Sequence, residues 1–311
     1  MKRTSWKDRR DRKHLSLDRN ENFDFELRRQ FHDFFGCLRP EDLCLYPDLS
    51  KAYKALEMST GISADKILLS HGSEQGLKLL FEALRPIIKI AFCEPTFQMV
   101  SVYSEIYGCF PTVKEFKYKD GKFQVDTNIT NHDAVYIANP NNPTGTAVPN
   151  KSIERLCRDN TWVIIDEAYY EYNNYKTCVE LVNKHENLFV LRTLSKACGG
   201  AGVRVGYIVT NPVNIETISA YKPAYELSSI AVKFVQYICD NPDMIEESVS
   251  RLQKCKRAIE KKYYGIPCKG NYVLIPFSRK TYAHLINIAD VKMLTIDNSK
   301  FIRVTVTDVE I

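Results

Sequence analysis

The chain is short of several things, and each shortage excludes a class of protein. No run approaches the roughly 18 uncharged apolar residues that a membrane-crossing helix needs, which excludes a spanning protein. There is no internal repeat, and no low-complexity tract beyond a short basic arm. With 44% hydrophobic and 26% charged residues the chain is not a disordered one. The ten cysteines form no C-x-x-C pair, unlike a zinc site or a secreted disulfide framework, so we expect reduced thiols, a cytoplasmic protein and no metal. An excess of one charge is nearly absent too. Lys plus Arg is 43 and Asp plus Glu is 38, a net charge of +5 that does not point to nucleic acid.

That excess is local. Lys2, Arg3, Lys7, Arg9, Arg10, Arg12 and Lys13 crowd the start, against Asp8 and Asp11. We read residues 1–14 as a solvated basic arm. No apolar core of the secretion type follows it, and the two aspartates disfavour a transit peptide.

What is present is the pattern of an α/β protein of 311 residues, about twice the ~150 residues of an average domain. Short β-rich apolar runs at 67–69, 87–92, 135–138, 162–165, 188–191 and 205–209 alternate with helical periodicity, as at 75–84 and 97–107. Continuous apolar strands separated by helices predict a mostly parallel sheet covered on both faces. After Asn211-Pro212 the texture changes to a long helical tract at 229–264, broken near Asn241-Pro242, and then to strand-like 272–276 and 301–307. We therefore expect a large domain over 46–211 and a smaller α+β domain over 212–311. Residues 15–45 should pack on the smaller domain.

Three segments carry chemistry. Thr193-Leu194-Ser195-Lys196 follows a strand and leads through Gly199-Gly200-Ala201-Gly202 to Arg204. The glycines let the backbone fold around a ligand, and the guanidinium suits a phosphate. Read alone, the segment is equally a surface lysine on a flexible loop. Asn139-Pro140-Asn141-Asn142-Pro143-Thr144-Gly145 follows the 135–138 strand, where α/β sheets bind ligands at their carboxyl ends. By itself it is a tight turn. Asp166-Glu167-Ala168-Tyr169 closes the 162–165 strand, and an acid there is often only a helix cap.

Together, in this order, the three segments resemble the fold type I aminotransferases that use pyridoxal 5'-phosphate, in particular the histidinol-phosphate aminotransferase branch. Asn20-Glu21-Asn22, Tyr46-Pro47-Asp48, Gly72-Ser73-Glu74-Gln75-Gly76 and Pro95-Thr96-Phe97 agree with that branch. The resemblance runs from about Leu15 to Thr307. It implies that Lys196 holds the cofactor as an imine and shuttles a proton, while Asp166 faces the pyridine nitrogen and keeps it protonated. Asn142 and Tyr169 would donate to the phenolate oxygen, and Phe97 would stack on the ring. Backbone N–H groups of Ser73 and Glu74, with Ser195 and Arg204, would grip the phosphate, assisted by Tyr46 from the other subunit of a homodimer. Arg303 would clamp the substrate carboxylate or phosphate, with Asn22 also in the substrate set. His71 is not expected to act as the base, given Lys196, and Asn271-Tyr272-Val273 reads as structural.

Two departures from the family pattern stand out. Phe23-Asp24-Phe25 replaces the Pro-Tyr-Gly that commonly follows Asn-Glu-Asn, in a region that shapes the substrate pocket. The sequence stops at Ile311, where relatives usually continue into a helix with an acidic start, of which Asp308 and Glu310 would be the remainder. The expected activity is amino-group transfer between an amino acid or amino phosphate and an oxo acid. A decarboxylase of the threonine-phosphate decarboxylase type shares the motif set, and a non-catalytic descendant is a third reading.

Overall fold

The structure, a computed structural model, describes residues 15–309; the basic arm at 1–14 lies outside them. In chain order, β1 (Leu15–Ser16) leads to α1 (Phe25–Gly36), α2 (Glu41–Cys44) and α3 (Ser50–Thr60). Then come β2 (Ile67–Ser70), α4 (Gly72–Ala83), β3 (Lys89–Glu94), α5 (Met99–Ile106), β4 (Phe110–Glu115) and a hairpin of β5 (Lys117–Lys119) and β6 (Lys122–Gln124). They are followed by β7 (Ala134–Ala138), α6 (Asn150–Asp159), β8 (Trp162–Asp166), β9 (Leu188–Thr193) and β10 (Gly206–Val209). The rest is helical up to β11: α7 (Pro212–Ser219), α8 (Ser229–Asp240) and α9 (Pro242–Tyr263), then β11 (Tyr272–Pro276), α10 (Arg279–Ile286), β12 (Ala289–Asp290), β13 (Lys292–Ile296) and β14 (Ser299–Thr305).

The six apolar runs all become strands of one seven-stranded sheet, ordered β2-β10-β9-β8-β7-β3-β4. It is parallel from β4 through β9, and β10 lies antiparallel between β9 and β2. Both faces are dry. Val135, Ile137, Val163, Ile165 and Val190 enter one core cluster, while Tyr136, Ile164, Phe189 and Leu191 enter the other. This is the period of two expected when helices cover both sides. The strand of this sheet that sequence reading missed is β4, at one edge. Its residues Phe-Pro-Thr-Val-Lys-Glu are mostly exposed, and so lack the apolar run that marks the others.

The helical tract breaks where Pro242 opens α9, and α8 is capped by Ser228, whose side chain accepts from the Ala231 N–H. β11, β14 and β13 form a separate antiparallel sheet. The N-terminal segment is stitched to it. β1 pairs with β12, the Thr305 N–H and Oγ1 both donate to Leu17 O at 2.9 and 2.7 Å, and Phe23 bridges Thr307. Among the described residues no helix is long and apolar enough to cross a membrane. All ten cysteines are free thiols.

Candidate active site

Strand register gathers the sequence motifs at one edge. Ala138 lies opposite Asp166, Asp166 opposite Leu191, and Gly206 opposite both Thr193 and Ser70. The asparagine loop, the acidic turn, the lysine loop and the start of α4 therefore all leave the sheet at the carboxyl ends of its parallel strands, the usual place for a ligand.

Asp166 ends β8 and is buried. Its Oδ2 accepts from the Tyr136 hydroxyl at 2.9 Å and its Oδ1 from the Ala168 N–H at 3.0 Å, two neutral donors. Burial pushes the carboxyl above the ordinary carboxylate range, and the Tyr136 and Ala168 hydrogen bonds and the charge of Lys196 pull it back. A carboxylate so held calls for a closer cation. Lys196, after β9, places Nζ 3.3 Å from the carbonyl oxygens of Arg19 and Asn20 and 5.7 Å from the centre of the Tyr169 ring. Tyr169 accepts from the Asn20 amide at 3.0 Å, which leaves its own proton for another acceptor.

A few residues away is an anion cradle. Helix α4 begins at Gly72, φ +77°, with no side-chain cap, so its first N–H groups at Ser73 and Glu74 stand at the positive end of the dipole. Arg204 lies against this turn, and a Cβ on Gly72 would come within 2.5 Å of its guanidinium. Its Nη1 donates to Ser195 Oγ at 3.4 Å and to Ala201 O at 3.2 Å, and the Thr193 hydroxyl donates to the same Ser195 oxygen at 3.0 Å. Gly206 makes the approach possible, because any side chain there would collide with the Ser73 nitrogen and the Gly72 carbonyl carbon.

Arg303, from β14, supplies a second cation on the other side. It is buried, and its Nη1 donates to Asn142 Oδ1 at 2.8 Å and its Nη2 to Asp18 O, while Nε has no acceptor among the described residues. Burial pulls the guanidinium below its ordinary range. Among the described residues no carboxylate hydrogen-bonds it, Asp18 acting on its charge only at a distance, as suits a group that receives an anionic ligand. Phe97 is half-buried, packed against the core cluster on its side of the sheet. Taken together, these groups suit a planar ring with a cationic nitrogen near Asp166, a phosphate near Arg204 and a carboxylate near Arg303.

The structure brings Lys196, Asp166, Tyr169, Asn142, Ser73, Glu74, Ser195, Arg204, Phe97 and Arg303 to this edge. Two other candidates are placed differently. Asn22 commits its amide to Ala197 O at 2.8 Å and Ser248 Oγ at 3.3 Å, and its carbonyl oxygen to the Asp24 N–H at 2.8 Å, so it props the lysine loop from behind. Tyr46 stands on the surface, 81% exposed, with its ring stacked on Tyr225 at 4.5 Å. Sequence reasoning missed Asn20, which reaches Tyr169, and Tyr136, which holds Asp166. It also missed that Asn141 accepts from the Thr96 hydroxyl at 2.7 Å; Tyr272, read from the sequence as structural, donates its hydroxyl to Asn141 O at 2.7 Å. Asn20 was within reach as the other asparagine of the Asn20-Glu21-Asn22 motif. His71, before α4, is exposed.

Comparison with known proteins bears on the family and the fold. The family model for aminotransferase class I and II matches residues 28–310. A histidinol-phosphate aminotransferase of Clostridium novyi (strain NT) is 32% identical over 312 aligned positions, covering 94% of this chain and 87% of the relative. Among solved structures, the histidinol-phosphate aminotransferase of Sinorhizobium meliloti in complex with pyridoxal-5'-phosphate superposes with a TM-score of 0.77 at 19% identity, over 94% of this chain and 86% of that one. The L-threonine-O-3-phosphate decarboxylase of Porphyromonas gingivalis gives 0.77 at 18%, over 94% and 95%.

Proposed function

The chain belongs to the aminotransferase class I and II family, and on that premise we propose that Lys196, Asp166, Tyr169, Asn142 and Arg204 hold pyridoxal 5'-phosphate for the transfer of an amino group between an amino acid or amino phosphate and an oxo acid. The observation that carries this reading is Asp166, a buried carboxylate held only by neutral donors at the sheet edge that also carries Lys196 and the anion cradle.

When bound, the cofactor supplies an electron-withdrawing ring that takes up the electron pair left as the substrate Cα loses its proton. The other work falls to this chain's residues. Asp166 keeps a cationic ring nitrogen protonated by placing a negative charge beside it in a low-dielectric setting. Ser195, Arg204 and the first N–H groups of α4 fix a phosphate. Tyr169 and Asn142 donate to a phenolate oxygen, Tyr169 being oriented by Asn20 and Asn142 by Arg303. Phe97 offers the face of its ring for stacking. Lys196 Nζ is the amine that would hold the cofactor covalently and would carry the proton at the substrate Cα. Arg303 orients the substrate, its Nε still lacking an acceptor that a carboxylate or phosphate provides.

Residues 46–211 form the cofactor-holding domain in this reading, and 212–311, with 15–45 packed on them, the smaller one. The protein is a cytoplasmic homodimer in which Tyr46 reaches the phosphate of the other subunit. The decarboxylase rests on a likeness of fold at 18% identity, whereas the transferase has relatives near 30% identity along most of the chain.

Borohydride reduction of the holoenzyme followed by peptide mapping should place a pyridoxyl group on the peptide holding Lys196, and Lys196→Ala should lose both the adduct and turnover. A pyridoxyl group on a different lysine would overturn the assignment. An amino donor added without acceptor should yield oxo acid equal to the enzyme present; release of carbon dioxide instead would favour the decarboxylase.

A further inference from the structure

Behind the lysine loop lies a second cavity of about 600 Å³, within the size range of small-molecule sites. Its wall is built from the end of α3, the turns that follow β8, part of β9 and β10, the end of α8 and the start of α9. Thr193, Leu194 and Cys198 line it, flanking Ser195 and Lys196 without including them. Asp166, Asn142, Arg204 and Arg303 take no part in it, and it meets the anion cradle at Thr193.

The wall holds a buried carboxyl with one oxygen left without a partner. Glu171 lines the cavity, only 5% exposed, and its Oε2 has no donor among the described residues. The two basic residues of the wall are engaged elsewhere. Arg192 donates through Nε and Nη2 to Glu167 at 3.2 and 3.1 Å and through Nη2 to the Thr177 hydroxyl at 2.7 Å, with its carbon centre 3.9 Å from the middle of the Tyr170 ring. Lys66 donates to Asn183 Oδ1 at 2.7 Å. Glu180 and Glu246 add two more carboxylates to the wall. Burial pushes the Glu171 carboxyl up to about 8, as happens to an acid with no adequate counter-ion.

A buried acceptor left without a donor is costly, and the ligand that removes the cost brings positive charge and N–H groups. The remaining wall, with Tyr170, Tyr175, Tyr207, Leu56 and Ile238, suits an organic body more than a hydrated metal ion. We propose that this cavity binds a small organic cation whose N–H groups bond Glu171 as its carboxyl gives up its proton to solvent, and whose apolar body packs among Tyr170, Tyr175 and Tyr207.

The test is calorimetric titration of the holoenzyme with benzamidinium, which carries a planar N–H fork and an aromatic ring but no amine to react with the cofactor. Saturable binding of one molecule per chain is expected. It should weaken at least ten-fold in Glu171→Gln, and benzamide, neutral and of the same shape, should bind at least ten-fold more weakly. Because a core substitution can disturb folding, a second variant, Ser59→Trp at an exposed position of the wall, should also block binding. Benzoate, which addresses Arg303, should not displace benzamidinium. No saturable binding, equal affinity for benzamide, displacement by benzoate, or affinity unchanged in both variants would each overturn the proposal.

Discussion

At the scale of single residues, Asp166 depends on a neighbour that is itself fully buried. Tyr136 reads in sequence as an ordinary sheet-forming aromatic, yet its hydroxyl donates the 2.9 Å bond that offsets part of the cost of burying the carboxylate. Tyr136→Phe keeps the ring and removes the donor. A hydrogen bond to a charged group contributes about 1.5–3 kcal/mol, so kcat should fall roughly ten-fold or more, and the pH titration of the bound cofactor's visible band should shift. An unchanged titration would mean that Tyr136 serves packing alone. Glu171 gives a prediction whose sign follows from its raised pKa. Below its ordinary value of 4.5 both folded and unfolded chains hold the proton; between 4.5 and about 8 the unfolded chain releases it while the folded chain keeps it. Its contribution to stability is therefore fully present below 4.5 and is lost as the pH rises through that window. Urea unfolding of Glu171→Gln should lack this loss, gaining on the order of 2–4 kcal/mol over the parent between the two ends of the window.

At the scale of elements, the packing of β10 against the first turn of α4 decides whether the anion cradle exists. Gly206→Ala would drive a methyl group into the backbone of Gly72 and Ser73 and force helix and strand apart. We expect a loss of about 1–3 kcal/mol of stability and weaker retention of the cofactor, both measurable by thermal unfolding with and without added coenzyme. The strands that carry the motifs were legible because each is a short apolar run bounded by turn residues, buried on both faces. The edge strand β4 and the β5–β6 hairpin were not, since exposed positions are free to be polar and leave no periodic mark. Element boundaries told less than motif order did: Lys196, Asp166 and Asn142 could be ranked by the loops they occupy. The bond from Asn20 to Tyr169 joins residues 149 apart, and nothing local in either segment announces it.

At the scale of the whole molecule, the surface around Tyr46 bears on assembly. Leu43, Leu45, Tyr46 and Tyr225 are all more than half exposed, an unusual concentration of large apolar side chains. If Tyr46 completes the neighbouring subunit's phosphate site, mixing inactive Tyr46→Ala and Lys196→Ala proteins should restore measurable activity through heterodimers holding one intact site. No recovery after demonstrated subunit exchange would place Tyr46 outside the chemistry. The motifs made the pocket's inventory readable in the sequence, but the closure of that pocket by residues 17–20 and β14 was not, because it depends on backbone groups that carry no residue signature. Arg303 leans on Asp18 O, Lys196 Nζ on the carbonyls of Arg19 and Asn20, and Leu17 is tied to Thr305 across 288 residues. A nascent polypeptide on the ribosome would thus possess its lysine, its acid and its phosphate grip well before it possessed a working pocket. Competence would arrive only when β14 emerged and met the segment around Leu17, the slow, long-range closure that loop entropy disfavours most.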